Sequence, residues 1–451
     1  MGTAAVRTDD SWSGGLTQGT PVGVVGASTR AAAMSLVRAG LRPWAVDLFA
    51  DRDLRRIAQV ERCSLGVYPA ALPSLCDSFP PGPVMYTGGL ENAPEVVAAL
   101  AHRRPLWGNG ADVLQQIRDP YRLHSVLAAI GPAASLVPVD APVPAHHRWL
   151  RKPLKGSGGL SICFAEPGGC VPRTHYAQEY MEGPVLSAQF ISDDWKTTLL
   201  GVTEQLVGER WLHASPFGYS GNIGPLVIPD QLSASLRRLG GLLAQSFRPL
   251  GIWGVDFILC DNTAIPIEVN PRYTAAIELF ELSAGCGLLL KHSICFPTET
   301  QDRRSTLTHE PVQDIASTER WWDAHMRGRG SSRAAPLSRS AGASPSRTSD
   351  DRVWDKTARR DSGIHLGHPT LGKAVYFAPC RIVFPASGPW DEEFTVEFDP
   401  WRIPTFADIP DPCTVIETGA PVLTFFTTGS TTTDCRAKLI QQAAELDRLF
   451  Q

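Results

Sequence analysis

Long apolar runs, a basic excess and paired cysteines are all missing from this sequence of 451 residues. No apolar run approaches the roughly 20 residues that a membrane helix needs, and the N-terminus has no apolar segment of the kind found in Sec signals. The 42 Lys and Arg are outnumbered by 46 Asp and Glu, for a net charge of −4, which argues against a general nucleic-acid binder. The ten cysteines contain no C-x-x-C pair and are too few for a disulfide scaffold. These absences predict a cytoplasmic protein with reduced cysteines and with neither a membrane nor a nucleic-acid partner.

The residues that are present suit a large folded core, since 43% are hydrophobic and 20% are charged. The length predicts roughly three domains. Strand and helix patterns alternate in the first region, which is typical of a parallel α/β unit, and strands crowd together later. The Ser, Arg, Ala and Pro-rich stretch after residue 300 has too few large apolar residues to fold. The predicted regions are a flexible tail (1–20), an α/β domain (21–130), an α+β domain (131–300), a disordered linker (301–365) and a β-rich domain (366–451).

Local patterns predict individual elements. Asp119 before Pro120 predicts the start of a helix that runs to Ile130. Leucines spaced three and four apart predict another helix over 232–249. Alternating apolar residues predict a strand over 393–398, whereas a Gly-rich stretch predicts a loop over 215–225.

A Gly-rich motif, R-K-P-L-K-G-S-G-G, ends at Gly159 and lies between two predicted strands. Its glycines would let backbone N–H groups approach a polyphosphate, and Lys152 would hold a phosphate by charge. The motif is not a P-loop, because the pattern G-x-x-x-x-G-K-S/T is absent. Taken alone, the segment also fits an ordinary hairpin with exposed basic residues.

A second pair of segments, G-V-D-F and I-E-V-N-P-R, predicts a hairpin that carries acids. Because side chains alternate along a strand, Asp256 and Glu268 would lie on one face, and Asn270 would share it. Two carboxylates and an amide oxygen suit Mg²⁺. Arg272 would point at a transferred phosphoryl group, where positive charge stabilises the transition state. The alternative interpretation is a hairpin with solvated acids.

Between these motifs lies Y-A-Q-E-Y-M-E-G at 176–183, a short strand that could face an adenine. The three motifs, in this order, resemble the ATP-grasp superfamily over about residues 20–300. The chain is most similar to the predicted ATP-dependent carboligases related to biotin carboxylase. Those proteins share the patterns N-P-R-Y-T and T-E-Q-L, found here at 270–274 and 203–206.

The resemblance implies an ATP-grasp fold with a Rossmann-like N-terminal domain and a small C-terminal β-rich domain. The ATP-grasp domain would divide into a B lobe (about 148–190) and a C lobe (about 191–300), with the nucleotide between them. The implied catalytic residues are Lys152 and Arg272, and the implied metal ligands are Asp256, Glu268 and Asn270. The residues implied to hold ATP are Lys152, Lys155, Gly156, Ser157, Gly158, Gly159, Gln178, Glu179, Met181 and Glu182.

The implied chemistry is phosphorylation of a small-molecule carboxylate by ATP, followed by attack of a nucleophile such as an amine. Mg²⁺ is the implied metal, with Mn²⁺ as an alternative. A homodimer is possible, but the sequence does not determine the oligomeric state. The sequence departs from the family at two places. Many members carry a lysine late in the first domain, but the stretch 118–122 has none. Either Arg118 or Arg122 replaces that lysine, or its contact is missing. Relatives often carry a glutamate or histidine that contacts the ribose just after the hinge glycine, which is Gly183 here. Because Pro184 takes that place, Glu179 or Glu182 would have to contact the ribose.

Three other classes of protein compete with this interpretation. A nicotinamide-dependent oxidoreductase would explain G-V-V-G after the first strand and Asp47 after the second, but G-x-G-x-x-G is not met. A nucleotide-binding protein without turnover would keep the same motifs. A biotin-carboxylase-like carboxylase would act on bicarbonate, although no biotin-accepting Met-Lys dipeptide is visible in a suitable turn.

Overall fold

The computed structural model describes residues 19–296 and 369–450, which belong to one structural unit. The predicted linker and nearly all of the predicted tail lie outside these ranges. No helix within the described ranges is both long and apolar enough to cross a membrane. All ten cysteines fall within them and are unpaired, as predicted.

The N-terminal region is a parallel sheet covered by helices, as the alternating patterns predicted. Its strand order is β3-β2-β1-β4, and the registered pairs are parallel. In chain order the elements are β1 (Pro21–Val25), α1 (Arg30–Arg38), β2 (Arg42–Asp47), α2 (Arg52–Ile57), β3 (Gln59–Arg62), α3 (Leu72–Leu75), β4 (Val84–Tyr86), α4 (Pro94–Arg103), α5 (Ala111–Ile117) and α6 (Pro120–Ile130). The predicted start of α6 is confirmed, because the Asp119 carboxylate accepts hydrogen bonds from the backbone N–H groups of Tyr121 and Arg122.

A small antiparallel sheet with the order β5-β8-β6-β7 carries the Gly-rich motif. Its strands are β5 (Leu136–Val137), β6 (Trp149–Pro153), β7 (Cys163–Phe164) and β8 (His175–Glu179). The motif ends β6 and continues into the loop to β7, so it lies between two strands as predicted, although β7 has only two residues. Gly159 has φ +75°, and a Cβ there would lie 1.7 Å from the Phe217 carbonyl oxygen. Only glycine therefore lets this loop approach the segment before Tyr219.

An antiparallel sheet of eight strands forms the rest of the frame, in the order β13-β12-β9-β10-β11-β14-β18-β16, with β15 and β17 as a separate pair. The strands are β9 (Val185–Ser192), β10 (Thr197–Val207), β11 (Tyr219–Gly224), β12 (Gly251–Cys260), β13 (Thr263–Asn270), β14 (Thr370–Phe377), β15 (Ile382–Val383), β16 (Phe406–Ala407), β17 (Val415–Ile416) and β18 (Pro421–Gly429). The helices are α7 (Asp230–Phe247), α8 (Ile277–Ala284), α9 (Leu289–Ile294), α10 (Glu392–Thr395) and α11 (Thr432–Phe450). Because β11 pairs with β14, the C-terminal strands extend this sheet.

Two local predictions are wrong. The segment expected as a strand over 393–398 begins as helix α10, where the buried Glu393 carboxylate accepts hydrogen bonds from the backbone N–H groups of Thr405 and Phe406. The segment expected as a loop over 215–225 contains β11. Gly221, with φ +147°, lets this strand approach β14, since a Cβ would lie 2.1 Å from the Lys373 carbonyl oxygen. Propensity rules miss both, because each depends on a distant partner.

Candidate functional site

The predicted acidic hairpin is confirmed by the pairing of β12 with β13. Asp256 lies directly opposite Glu268, and Gly254 lies opposite Asn270. The Asn270 side-chain amide donates a hydrogen bond to Asp256 Oδ2 at 2.9 Å. The three predicted metal ligands therefore sit together on one face of the hairpin.

Asp256 is a carboxylate that lacks a cationic partner within the described residues. Its Oδ1 accepts hydrogen bonds from Ser187 Oγ at 2.6 Å and Gln205 Nε2 at 2.8 Å, and both donors are neutral. Burial, and then the charge of Glu268, raise the pKa of Asp256 to about 6. A divalent cation would relieve this repulsion.

The side-chain oxygens of Asp256, Glu268 and Asn270 suit a hard cation, although they are few. Carboxylate and amide oxygens are ligands that Mg²⁺ accepts, with water and phosphate oxygens completing the shell. Within the described residues no group of three or more His, Cys, Asp and Glu is arranged to hold a metal, and this candidate has only two carboxylates. The oxygen of the Asn270 amide is shared, because it also accepts a hydrogen bond from Arg272 Nη2 at 3.2 Å.

Arg118 is a residue of the site that sequence reasoning named only as one of two alternatives. It forms an ion pair with Glu268 and donates hydrogen bonds to Asn92 Oδ1 and to the Gly156 carbonyl oxygen, both at 2.9 Å. Arg122 instead lies over the Phe247 ring. The cation beside the acidic hairpin is thus Arg118, which also tethers the Gly-rich loop.

Arg272 is held in place by a carboxylate that the sequence did not reveal. Glu91, which is 2% exposed, accepts from Arg272 Nε at 2.9 Å and from Nη2 at 2.8 Å. Burial alone would raise the pKa of Glu91, but the Arg272 charge outweighs it and lowers that pKa. This two-point ion pair fixes the plane of the guanidinium. No local pattern links Glu91 in the N-terminal sheet region to Arg272, so no sequence signal pointed to the pair.

Lys152 is a buried cation without a carboxylate partner in the described part of the chain. It is 8% exposed, and its Nζ donates to Gln178 Oε1 at 3.1 Å. The ring of Tyr176 lies 5.7 Å from Nζ. A buried ammonium group with only neutral contacts is suited to an anionic ligand.

A cleft of about 930 Å³ brings most of the predicted residues together. This volume is in the range of small-molecule sites. The predicted residues that line it are Lys152, Ser157, Gly158, Gly159, Gln178, Glu179, Met181, Asp256, Glu268, Asn270 and Arg272. Lys155, Gly156 and Glu182 do not line it. Lys155 and Glu182 are exposed, and Glu182 lies 3.8 Å from Arg148.

Of the two candidates for the ribose contact, Glu179 lines the cleft and Glu182 does not. Glu179 Oε2 accepts a hydrogen bond from Ser135 Oγ at 2.7 Å. Glu182 lies outside the cleft, and its contact with the nucleotide stays a prediction.

Comparison with known proteins identifies the fold of the chain and a family match for part of it. The family model of the ATP-grasp domain matches residues 127–276. An uncharacterised protein of Methanocaldococcus jannaschii is 26% identical over 200 residues, which cover 41% of this chain and 48% of that protein. The chain thus matches about half the length of this relative.

Solved structures resemble nearly the whole chain at low identity. The biotin carboxylase of Campylobacter jejuni in complex with β,γ-ATP has 11% identity and a TM-score of 0.60, covering 93% of this chain and 90% of that one. The L-amino acid ligase of Bacillus licheniformis has 14% identity and a TM-score of 0.57, covering 95% and 98%. The N5-carboxyaminoimidazole synthetase of Staphylococcus aureus with ADP has 11% identity and a TM-score of 0.54, covering 95% and 98%. The protein has the ATP-grasp fold. Residues 127–276 match the ATP-grasp family model, and the motifs that predicted this resemblance include residues of that range.

Proposed function

We propose that this protein is a ligase that uses MgATP to phosphorylate a small-molecule carboxylate and couples the acyl phosphate to a nucleophile, an amine. One observation carries the proposal. A single cleft combines a buried lysine that lacks a carboxylate partner, an acidic hairpin and an arginine aimed by a buried carboxylate. Phosphoryl transfer depends mainly on such positioning of charge.

In this proposal each side chain has one task. Lys152 binds the phosphate oxygens of ATP, and Ser157 to Gly159 cover them with backbone N–H groups. Arg272 binds the oxygens of the transferred phosphoryl group, where negative charge is shared in the transition state. Because Glu91 fixes the guanidinium, little reorganisation is needed during the reaction.

Asp256, Glu268 and Asn270 would hold the metal, either Mg²⁺ or Mn²⁺. When bound, the ion would supply neutralisation of the phosphate charge. Arg118 pairs with one oxygen of Glu268, Oε1, which leaves Oε2 for the ion, and use of both oxygens would require Arg118 to move away. Arg118 would then be free to bind an oxygen of the nucleotide, in place of the lysine that many relatives carry at this point.

A nucleotide-binding protein without turnover is the second candidate, and one observation favours it. The Arg118–Glu268 ion pair engages one oxygen of a predicted metal ligand and neutralises part of its charge. If the pair persists when nucleotide binds, Glu268 offers the metal only Oε2 and less charge, so the metal would be held weakly and phosphoryl transfer would fail.

The deciding experiment is calorimetric titration of the full-length protein with a non-hydrolysable ATP analogue, with and without Mg²⁺. We expect binding that Mg²⁺ strengthens, and we expect Glu268→Ala to lose the Mg²⁺ effect and Mg²⁺-dependent ADP release. Glu417→Gln is the matched control, because Glu417 also lines the cleft but is exposed and pairs with Arg381. If the Glu268→Ala protein still responds to Mg²⁺, Glu268 is not a metal ligand. If the wild-type protein shows Mg²⁺-dependent binding but releases no ADP with candidate acids and amines, the second candidate is supported.

A further inference from the structure

The same cleft is also lined by the segment that leads into α2 and by the C-terminal segment. The lining residues from these segments include Asp51, Asp408, Phe49 and Thr414. None of the ATP-grasp motifs uses these residues.

Asp51 is a buried carboxylate that makes no hydrogen bond and no ion pair within residues 19–296 and 369–450. Only 7% of it is exposed, and this exposed part faces the cleft. It precedes α2, where an aspartate commonly caps the helix, but its side chain makes no such hydrogen bond. A buried carboxylate without a partner is costly in a folded protein. The fold therefore keeps an acceptor open toward the cleft.

The electrostatic surroundings of Asp51 are acidic. Burial, and then the charges of Asp408, Asp53 and Asp47, raise the pKa of Asp51 well above its usual range, and Arg30 opposes them. Arg30 cannot serve as a partner, because its guanidinium already binds Glu278 and Asp408. Negative charge thus exceeds positive charge around Asp51.

The neighbouring acids differ from Asp51 because each already has donors. Asp47 accepts hydrogen bonds from the backbone N–H of Thr29 at 2.7 Å and from its hydroxyl at 2.8 Å. Asp53 accepts from the backbone N–H of Ile409 at 3.0 Å. The carboxylate of this group that accepts no hydrogen bond within the described residues is therefore Asp51, which lines the cleft.

We infer that Asp51 binds the ammonium group of the acceptor amine, with the charge of Asp408 adding to the attraction. This inference rests on the proposed function for the identity of the amine as the acceptor, but the cation site itself does not. A primary ammonium carries one positive charge and three N–H donors, so it meets both needs of a buried, unpartnered carboxylate. A metal ion fits less well, since the described residues contain no group of three or more His, Cys, Asp and Glu arranged to hold one.

The test uses full-length protein and two simple cations, methylammonium and tetramethylammonium chloride, at equal concentration near 0.2 M. Both screen charge equally, but only methylammonium donates hydrogen bonds. We expect methylammonium alone to raise the midpoint of thermal unfolding, by about 2 °C. Asp51→Asn should abolish this difference, whereas Glu417→Gln, an exposed acid of the same cleft, should retain it. An equal effect of both cations, or an unchanged difference in Asp51→Asn, would overturn the inference.

A second measurement keeps the inference testable if Asp51→Asn does not fold. Burial, and then the charges of Asp408, Asp53 and Asp47, raise the pKa of Asp51, so protons compete with an ammonium for this carboxylate. Calorimetry of wild-type protein should therefore show a methylammonium affinity that rises with pH, and no comparable binding of tetramethylammonium. A methylammonium affinity that does not rise with pH, or equal binding of both cations, would contradict the inference.

The ammonium test and the nucleotide test can fail separately. If the wild-type protein binds methylammonium but no nucleotide, the proposed function fails and the cation site stands. If it binds the ATP analogue with Mg²⁺ but Asp51→Asn leaves the methylammonium response unchanged, the site assignment fails and the proposed ligase stands.

Discussion

Two buried charged regions of this protein are built in opposite ways. In the first, the carboxylate of Glu278, which is 0% exposed, accepts from Arg30 at 2.5 and 3.0 Å and from Lys373 Nζ at 2.8 Å. Burial alone would raise the pKa of Glu278, but the charges of Arg30, Lys373 and Arg38 outweigh it and hold that pKa far below its usual range. Every charge there has an opposite charge beside it.

The cleft shows the reverse arrangement. Lys152 has only a neutral hydrogen-bond partner, and burial raises the pKa of Asp256 to about 6. Burial by itself therefore does not mark a functional charge. Glu278 joins α1, α8 and β14 into one frame, because Arg30, Glu278 and Lys373 come from these three elements. In the cleft, Lys152 and Asp256 have no opposite charge paired with them and are open to a ligand, whereas Arg272 and Glu268 are paired with Glu91 and Arg118.

The largest effect should come from breaking the compensated region. Glu278→Gln keeps the shape of the side chain but leaves Arg30 and Lys373 without their shared carboxylate. We expect the free energy of unfolding to fall by about 3 to 5 kcal/mol, measured by urea denaturation, because uncompensated buried charge is costly. Glu417→Gln, which alters an exposed pair with Arg381, should change it by less than about 0.5 kcal/mol. Equal stability of both variants would mean that the buried cluster does not hold the frame.

The second effect tests the uncompensated lysine. Lys152→Ala removes a buried charge that has no carboxylate partner in the described residues, so stability should change little. Affinity for the ATP analogue should fall about 10- to 100-fold in calorimetry, because charge-assisted contacts to phosphate are lost. Lys438→Ala is the control, since Lys438 is exposed and pairs with Asp434 on α11. Wild-type affinity in Lys152→Ala would count against a phosphate role.

The sequence predicted the parts of the site that local pattern controls. Strand alternation predicted that Asp256 and Glu268 share one face of a hairpin, in which they lie opposite each other, and the cap signal at Asp119 correctly predicted the start of α6. These features depend on residues a few positions apart, so their periodicity is visible in one chain. The same logic found the Gly-rich loop between β6 and β7.

The sequence did not predict contacts between distant segments. Glu91 and Arg272 are 181 positions apart, and Arg30 and Asp408 are 378 positions apart. Their pairing depends on how the N-terminal sheet packs against the eight-stranded sheet, which no spacing encodes. The helix at α10 is a similar case, since Glu393 accepts backbone hydrogen bonds from a segment about 12 residues further on.

The smallest effect concerns pH and the acidic hairpin. The folded-state pKa of Asp256 is about 6, above its ordinary value of 3.8, so the folded protein favours the protonated acid. Ionised Asp256 therefore destabilises the fold above about pH 6, and this cost is gone below about pH 4. The stability of wild type relative to Asp256→Asn should improve by about 1 to 2 kcal/mol between pH 8 and pH 4, a value reduced for partial exposure to solvent.

Urea denaturation of both proteins across this pH range measures the effect and isolates one carboxylate. Any effect of the asparagine side chain on the free energy of unfolding that does not depend on pH is the same at pH 8 and pH 4, so it cancels when the two pH values are compared. If the hairpin holds a metal, Mg²⁺ at pH 8 should stabilise wild type and not Asp256→Asn, because the cation replaces the proton as the partner of Asp256. A difference that does not vary with pH would place Asp256 with Glu278, among the charges that the fold itself neutralises.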